Sequence, residues 1–164
     1  MTSFEFLAQV QTLRRLLRYH LKRDNRMIEE EHRLPGFRSD LERVRATPAQ
    51  AAPYVALVER RYDLEKLMDL EVSILDRLEA QAKEAIAALP SEELRLVLFY
   101  RFLEGRSMNE TGELFYVGKT TIRRWQAKAL SLLVLPPDAV DLEKDLPKFG
   151  TDGTNGTLCT PPAV

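Results

Sequence analysis

Ser107-Met108-Asn109-Glu110-Thr111-Gly112-Glu113-Leu114-Phe115-Tyr116-Val117-Gly118-Lys119-Thr120-Thr121-Ile122-Arg123-Arg124-Trp125-Gln126 is the stretch on which the fold turns. Ser107 and Glu110 stand in the S-x-x-E spacing of a capping box, which opens a short helix from Met108 to Phe115. Tyr116-Val117-Gly118 is a turn, and a longer helix follows from Lys119 to about Leu133. A short helix, a turn of three residues and a longer helix have the dimensions of a helix-turn-helix. The corner between the two helices needs a small residue, and Gly112 supplies it. Glycine inside a helix costs about 1 kcal/mol relative to alanine, so close approach is the better reason for Gly112. Phe115, Val117, Ile122 and Trp125 are the apolar residues for the inner faces, with Trp125 read as core rather than as a stacking platform.

On the outer face of the longer helix the same register leaves Lys119, Thr120, Thr121, Arg123, Arg124, Gln126 and Lys128, with no acid among them. Arg and Lys can pair with guanine O6 and N7, and Gln with adenine, when the first turns of such a helix enter the major groove. Free N–H groups at the helix start, with Thr120 and Thr121, suit a phosphate. Double-stranded DNA is therefore the expected partner. A three-helix module used for protein contacts is the plainer alternative.

Upstream, Ser91-Glu92-Glu93 reads as a capped helix start with acids in the first turn. Leu94, Val97, Leu98, Tyr100, Phe102 and Leu103 give this helix a broad apolar surface, and Gly105 stops it. Between Arg95 and Leu133 there are seven basic residues (Arg95, Arg101, Arg106, Lys119, Arg123, Arg124, Lys128) and three acidic ones (Glu104, Glu110, Glu113). The segment is thus +4 in a chain of net charge −1, leaving −5 elsewhere. That asymmetry points softly to nucleic acid.

From Leu89 to Leu133 the chain resembles the promoter-recognising C-terminal domain of bacterial sigma factors. The resemblance is carried by Thr111-Gly112-Glu113-Leu114-Phe115-Tyr116-Val117 and Ile122-Arg123-Arg124-Trp125-Gln126-Ala127-Lys128-Ala129-Leu130. It implies that Lys119, Thr120 and Arg124 read bases while Arg123 and Lys128 lie nearer phosphates. Gly118 departs from the Ser or Thr that usually caps the recognition helix. Thr120 stands where an acid is common, which implies a different target sequence. The resemblance covers a quarter of the chain, and the regions with which a sigma factor melts promoters have no counterpart.

Two long helices precede this domain. The first spans Ser3 to Arg33, with an apolar stripe of Phe6, Val10, Leu13, Leu17, Leu21 and Ile28. Arg14, Arg15, Arg18, Lys22, Arg23 and Arg26 crowd its other faces; they read as a solvated face, with a second DNA contact as the sharper reading. Leu34-Pro35-Gly36 ends the helix, and a loop runs over 34–52. The second helix spans Pro53 to Leu89, with Pro53 in its first turn. Leu57, Arg61, Leu64, Met68, Glu71, Leu75, Leu78, Ala82, Ala85 and Leu89 alternate steps of four and three, and eight of these ten are apolar. That is a coiled-coil seam on a helix about 55 Å long. A lone helix cannot bury such a seam. Either the first helix folds back on it, or another subunit covers it, or both. Arg61 and Glu71 either fix its register or mark an exposed stretch, and Glu59, Glu65, Asp69 and Asp76 read as flanks.

The fold class is therefore all-α. Residues 1–89 form a helical hairpin or coiled coil, 90–133 a helix-turn-helix domain, and 134–164 a largely disordered tail rich in Gly, Thr and Pro. This layout is similar to small phage transcriptional regulators of the ArpU/RinA type, which implies a prophage-encoded activator of late or packaging genes. A packaging-initiation (small terminase) subunit and an adaptor that binds RNA polymerase or sigma factor through the hairpin are the competing expectations. A homo-oligomer through the long helix is expected. No nucleophile–base pair, metal set or phosphate loop is present, so no enzyme activity, cofactor or metal is expected. His20 and His32 read as surface histidines. The single Cys159 has no partner for an internal disulfide. No secretory leader and no apolar run approaching the ~20 residues of a membrane span are seen, so a cytoplasmic location is expected.

Overall fold

A computed structural model describes residues 1–33 and 48–146, all of whose regular structure is helical. Six α-helices follow one another: α1 (Ser3–Arg33), α2 (Pro48–Ala87), α3 (Glu92–Leu98), α4 (Met108–Leu114), α5 (Lys119–Leu132) and α6 (Leu142–Asp145). A π-helical turn, Phe99–Leu103, prolongs α3. Most of the loop expected over 34–52 lies outside the described residues. Its last five residues, 48–52, are instead the start of α2. Pro48 fits a first turn, and Ala49, Ala51 and Ala52 are strong helix formers. Pro53 sits in the second turn, where it removes a single hydrogen bond near the helix end.

α1 folds back along α2 as an antiparallel hairpin, and the heptad seam of α2 is its inner face. Leu57, Leu64, Glu71, Leu78, Ala82, Ala85 and Leu89 are buried at the expected spacing. Toward the closed end of the hairpin Met27 packs with Leu57, Leu64 and Leu67. Toward the open end Phe6, Leu7 and Val10 pack with Leu78, Ala82 and Ile86. Within and between these two apolar clusters the seam also holds paired polar residues. His20 Nδ1 lies 2.9 Å from Glu71 Oε2, with the histidine 8% and the glutamate 1% exposed. Arg61 donates to Asp24 at 3.2 Å and to Glu31 at 3.0 Å. Further along, Arg14 spans to Glu79 at 2.6 Å. The descending order of partners, 14 with 79, 20 with 71, 31 with 61, is the antiparallel register written in polar side-chain pairs.

Two expectations for α1 differ from the structure. His20 is not a surface residue; it is part of the seam. The buried line of α1 runs through His20, Asp24 and Met27, while Leu21 is exposed. The polar seam residues of α2 select polar partners, so the helix turns its hydrophobicity slightly away from the simple apolar pattern. The seam of α2 is covered within the chain by α1, the first of the expected arrangements.

The hairpin and the helix-turn-helix share one core. Phe6, Leu7 and Val10 of α1 and Leu78, Ala82, Ala85 and Ile86 of α2 form one cluster with Leu94, Leu98, Phe102, Leu103 and Ala129. The π turn makes this junction. Its wider winding leaves the carbonyls of Phe102 and Leu103 at a helix end without helical partners. Gln11 Nε2 donates to the Phe102 carbonyl at 2.6 Å, and an Arg14 guanidinium N–H donates to that of Leu103. Phe4 stacks edge-on to Phe102, 5.6 Å between ring centres. Ser3 Oγ donates to the carbonyl of Leu133, just past α5.

The segment after α5 begins packed. Val140 is fully buried, and Leu135, Ala139 and Leu142 lie against the same core. Gln81 clamps the strap at both ends of its amide, donating to the Asp138 carbonyl at 3.0 Å and accepting from Val140 N–H at 3.1 Å. Thus 134–146 covers the open end of the hairpin; the rest of the expected tail, 147–164, lies outside the described residues.

Candidate nucleic-acid interface

The corner of the helix-turn-helix is built as the residue types require. Ser107 Oγ accepts from Glu110 N–H at 3.2 Å, and the Glu110 carboxylate accepts from Ser107 N–H at 2.6 Å, closing both halves of the capping box. Hydrogen bonding to the carboxylate from Ser107, its hydroxyl first and then its backbone N–H, holds the Glu110 carboxyl below the ordinary glutamate range. Thr111, fully buried, turns its hydroxyl back to the Ser107 carbonyl at 2.8 Å. At Gly112 a Cβ would stand 2.7 Å from the Val117 carbonyl oxygen. The space is claimed by the turn itself, whose Val117 N–H bonds the Gly112 carbonyl at 2.9 Å. Phe115 meets Trp125 edge-on at 6.1 Å and Tyr100 at 6.0 Å, so three helices share one aromatic wedge. Trp125 is half-buried in that wedge. At the α3 end, Gly105 takes φ +76, the left-handed geometry expected of a helix stop. Ser91 differs from expectation: its hydroxyl donates to the Glu93 side chain and does not cap the backbone.

Tyr116 was invisible to the reading of residue types. It adopts φ +54 at the centre of the turn, a conformation that favours glycine, and its side chain is 97% exposed. A shallow cleft of about 610 Å³ lies beside it, lined by Asn109, Gly112, Glu113, Tyr116, Val117 and Lys119.

The structure brings six of the seven expected contact residues to accessible positions on α5. Lys119, Thr120, Arg123, Arg124 and Lys128 are exposed and Thr121 is half-exposed. Thr120, Arg124 and Lys128 follow each other at intervals of four, so they form one ridge along the helix. None of the four cations forms an ion pair among the described residues, and α5 contains no acid. Gln126 does not belong to this face. It is buried, and its Oε1 accepts from Arg101 Nε at 3.2 Å, tying α5 to the π turn. The reason is register: Gln126 lies four residues after Ile122 and three before Ala129, both fully buried. Arg101, partly desolvated there, is pulled below the usual arginine value yet remains a cation. Arg106 is likewise occupied, at 2.7 Å from Glu104 and over the ring of Tyr100. The +4 of the segment Arg95–Leu133 is thus concentrated on α5.

No group of three or more potential metal ligands occurs among the described residues, and no described helix is long and apolar enough to cross a membrane. Compared with protein-family models, with curated proteins and with solved structures, the chain has no significant match to any.

Proposed function

We propose that this protein is a sequence-specific regulator of transcription that binds duplex DNA through α5. The observation that supports it most is the composition of that helix's outer face in its structural setting. Lys119, Arg123, Arg124 and Lys128 stand free of acids on a helix whose inner side is fastened to a helix-turn-helix corner. A helix so mounted can enter a major groove, with Arg124 and Lys119 toward base edges and Arg123 and Lys128 toward phosphates. The sigma-like residues of this segment favour a promoter-type site, and the ArpU/RinA-like layout favours activation of late or packaging genes in a prophage, within the cytoplasm. RNA polymerase is then the natural second partner. Coverage of the α2 seam by α1 favours regulation over the ring assembly expected of a packaging subunit.

Selection of preferred sites from randomised duplexes tests the reading. The wild-type protein should enrich one short motif, and Arg124→Ala should flatten preference at one position of it, with a loss of about 1–3 kcal/mol for the preferred base. A wild-type protein that enriches no sequence would contradict it.

A further inference from the structure

The basic residues of α1 acquire a definite place once the hairpin is docked on the domain. Phe4, Gln11 and Arg18 are spaced by sevens, as are Ala8, Arg15 and Lys22, and residues so spaced share one helix face. The early members of that face are the ones that hold the domain: Phe4 on the ring of Phe102, Ala8 against the shared core, Gln11 on the Phe102 carbonyl. Beyond Gln11 the domain ends, and the same face continues as Arg15, Arg18, Lys22 and Arg26, all exposed. We propose that this stripe is a second duplex-DNA contact, which takes the sugar–phosphate backbone flanking the site read by α5. The proposal rests on the reading of α5 as the groove-entering helix.

Three observations carry it. First, the charges are unanswered. Between Arg14 and Ile28 the only acid is Asp24, and it is turned into the seam toward Arg61. Arg15 and Arg18 donate only to backbone carbonyls one turn back, those of Gln11 and Arg14. None of the four stripe cations forms an ion pair among the described residues. An ordinary solvated helix interleaves acids at i+4; here Arg18, Lys22 and Arg26 are like charges at that spacing, which weakens a helix in isolation. Second, the stripe is linear. Its four cations rise through about 16 Å at roughly one per turn, and the run stops at Glu29 and Glu30. A row of evenly spaced cations with one aromatic, Tyr19, among them suits a repeating anionic backbone better than a mixed protein surface. Third, its starting point is placed for the purpose. Gln11 and Arg14 touch the segment Phe102–Gly105, which leads directly to the capping box of α4. In helix-turn-helix docking the first helix of the motif crosses the DNA backbone. The stripe therefore starts beside the loop that leads into the helix which, on this reading, crosses the DNA backbone.

Phosphate contacts are counted by salt. Each phosphate neutralised contributes about 0.9 to the slope of log affinity against log salt. The experiment compares the full-length protein with a variant carrying Arg15→Gln, Arg18→Gln, Lys22→Gln and Arg26→Gln. Both are titrated with the selected site in a duplex of about 12 base pairs and in one of about 36 base pairs, between roughly 50 and 200 mM salt. On the long duplex the variant should bind about tenfold or more weaker at low salt, with the slope reduced by about 3. On the short duplex the two should differ little. Replacement of the three arginines by lysine should retain the wild-type slope, showing that charge rather than packing is responsible. Equal slopes on the long duplex, or the same loss on both lengths, would overturn the proposal. So would a variant that binds both duplexes normally but loses RNA polymerase, since the stripe would then face a protein. If Arg124→Ala still alters site preference in those cases, the reading of α5 stands and only the second contact falls. If the wild-type protein binds neither duplex, both fall.

Discussion

At the scale of single residues, Gly112 and Tyr116 place opposite demands on one corner. Gly112 sits where no Cβ fits, because the Val117 carbonyl would lie 2.7 Å away. Gly112→Ala must push the turn outward, and overpacking of this kind costs about 1–3 kcal/mol; chemical denaturation should show the loss, and an unchanged midpoint would contradict the close approach. Tyr116 is the reverse case. It holds a left-handed backbone that glycine would adopt without strain, and its exposed ring packs on nothing that would offset the strain. Tyr116→Gly should therefore stabilise the fold by about 1 kcal/mol once the added freedom of the unfolded glycine is subtracted. Gly112 was legible in the sequence because a glycine inside a helix demands a reason. Tyr116 was not, because residue type argues against the conformation it adopts. Gln126 misled for a related cause: a polar residue on a basic helix reads as outward until the register of Ile122 and Ala129 turns it toward Arg101.

At the scale of elements, the seam between α1 and α2 contains the largest local liability. Glu71 is buried with His20 as its partner. Removing one member of a buried pair typically costs 3–5 kcal/mol because the other is stranded, whereas replacing both by apolar groups is often neutral or better. His20→Leu should thus unfold the hairpin at much lower denaturant, and His20→Leu with Glu71→Leu should recover most of the loss, to within about 1 kcal/mol of wild type. If the double variant is as unstable as the single one, the pair is not the cause. A milder effect belongs to the α4 cap. Because Ser107 holds the Glu110 carboxyl below its ordinary value, the cap contributes fully above the ordinary glutamate range. That contribution is lost as pH falls through the depressed value. Amide exchange at Ser107 and Glu110 should quicken over that acid range in the wild type, and be fast throughout in Ser107→Ala. The capping box and the heptad spacing of α2 were readable because each is a local pattern with one physical meaning. The course of α1 was less so: its buried line passes through His20 and Asp24, and only the partners on α2 explain why polar residues face inward.

At the scale of the whole molecule, the hairpin and the helix-turn-helix are one packed body rather than a reader on a tether. The π turn, Gln11 and Arg14 join them, and the strap 134–146 covers their common core through Val140 and Gln81. The sequence marked the helices and the basic face of α5, yet it read the chain as successive segments. A core assembled from α1, α2, α3, α5 and the strap has contributions too far apart in the chain for any local pattern to display. The consequence for function is rigidity. If α5 enters a groove as proposed, the direction in which α1 and α2 project is fixed with it.

The central claim is that the acid-free face of α5 binds duplex DNA. Its most direct test is fluorescence titration of a mixed-sequence duplex, over a range of salt, with wild-type protein and with Lys119→Gln, Arg123→Gln, Arg124→Gln and Lys128→Gln combined. These side chains are exposed, so the variant should keep the wild-type unfolding midpoint. The wild type should bind with an affinity that falls steeply as salt rises, and the variant should lose at least tenfold in affinity at low salt with the slope reduced by about 2–4. A folded variant that binds duplex as the wild type does, or a wild type that binds none even at low salt, would contradict the account.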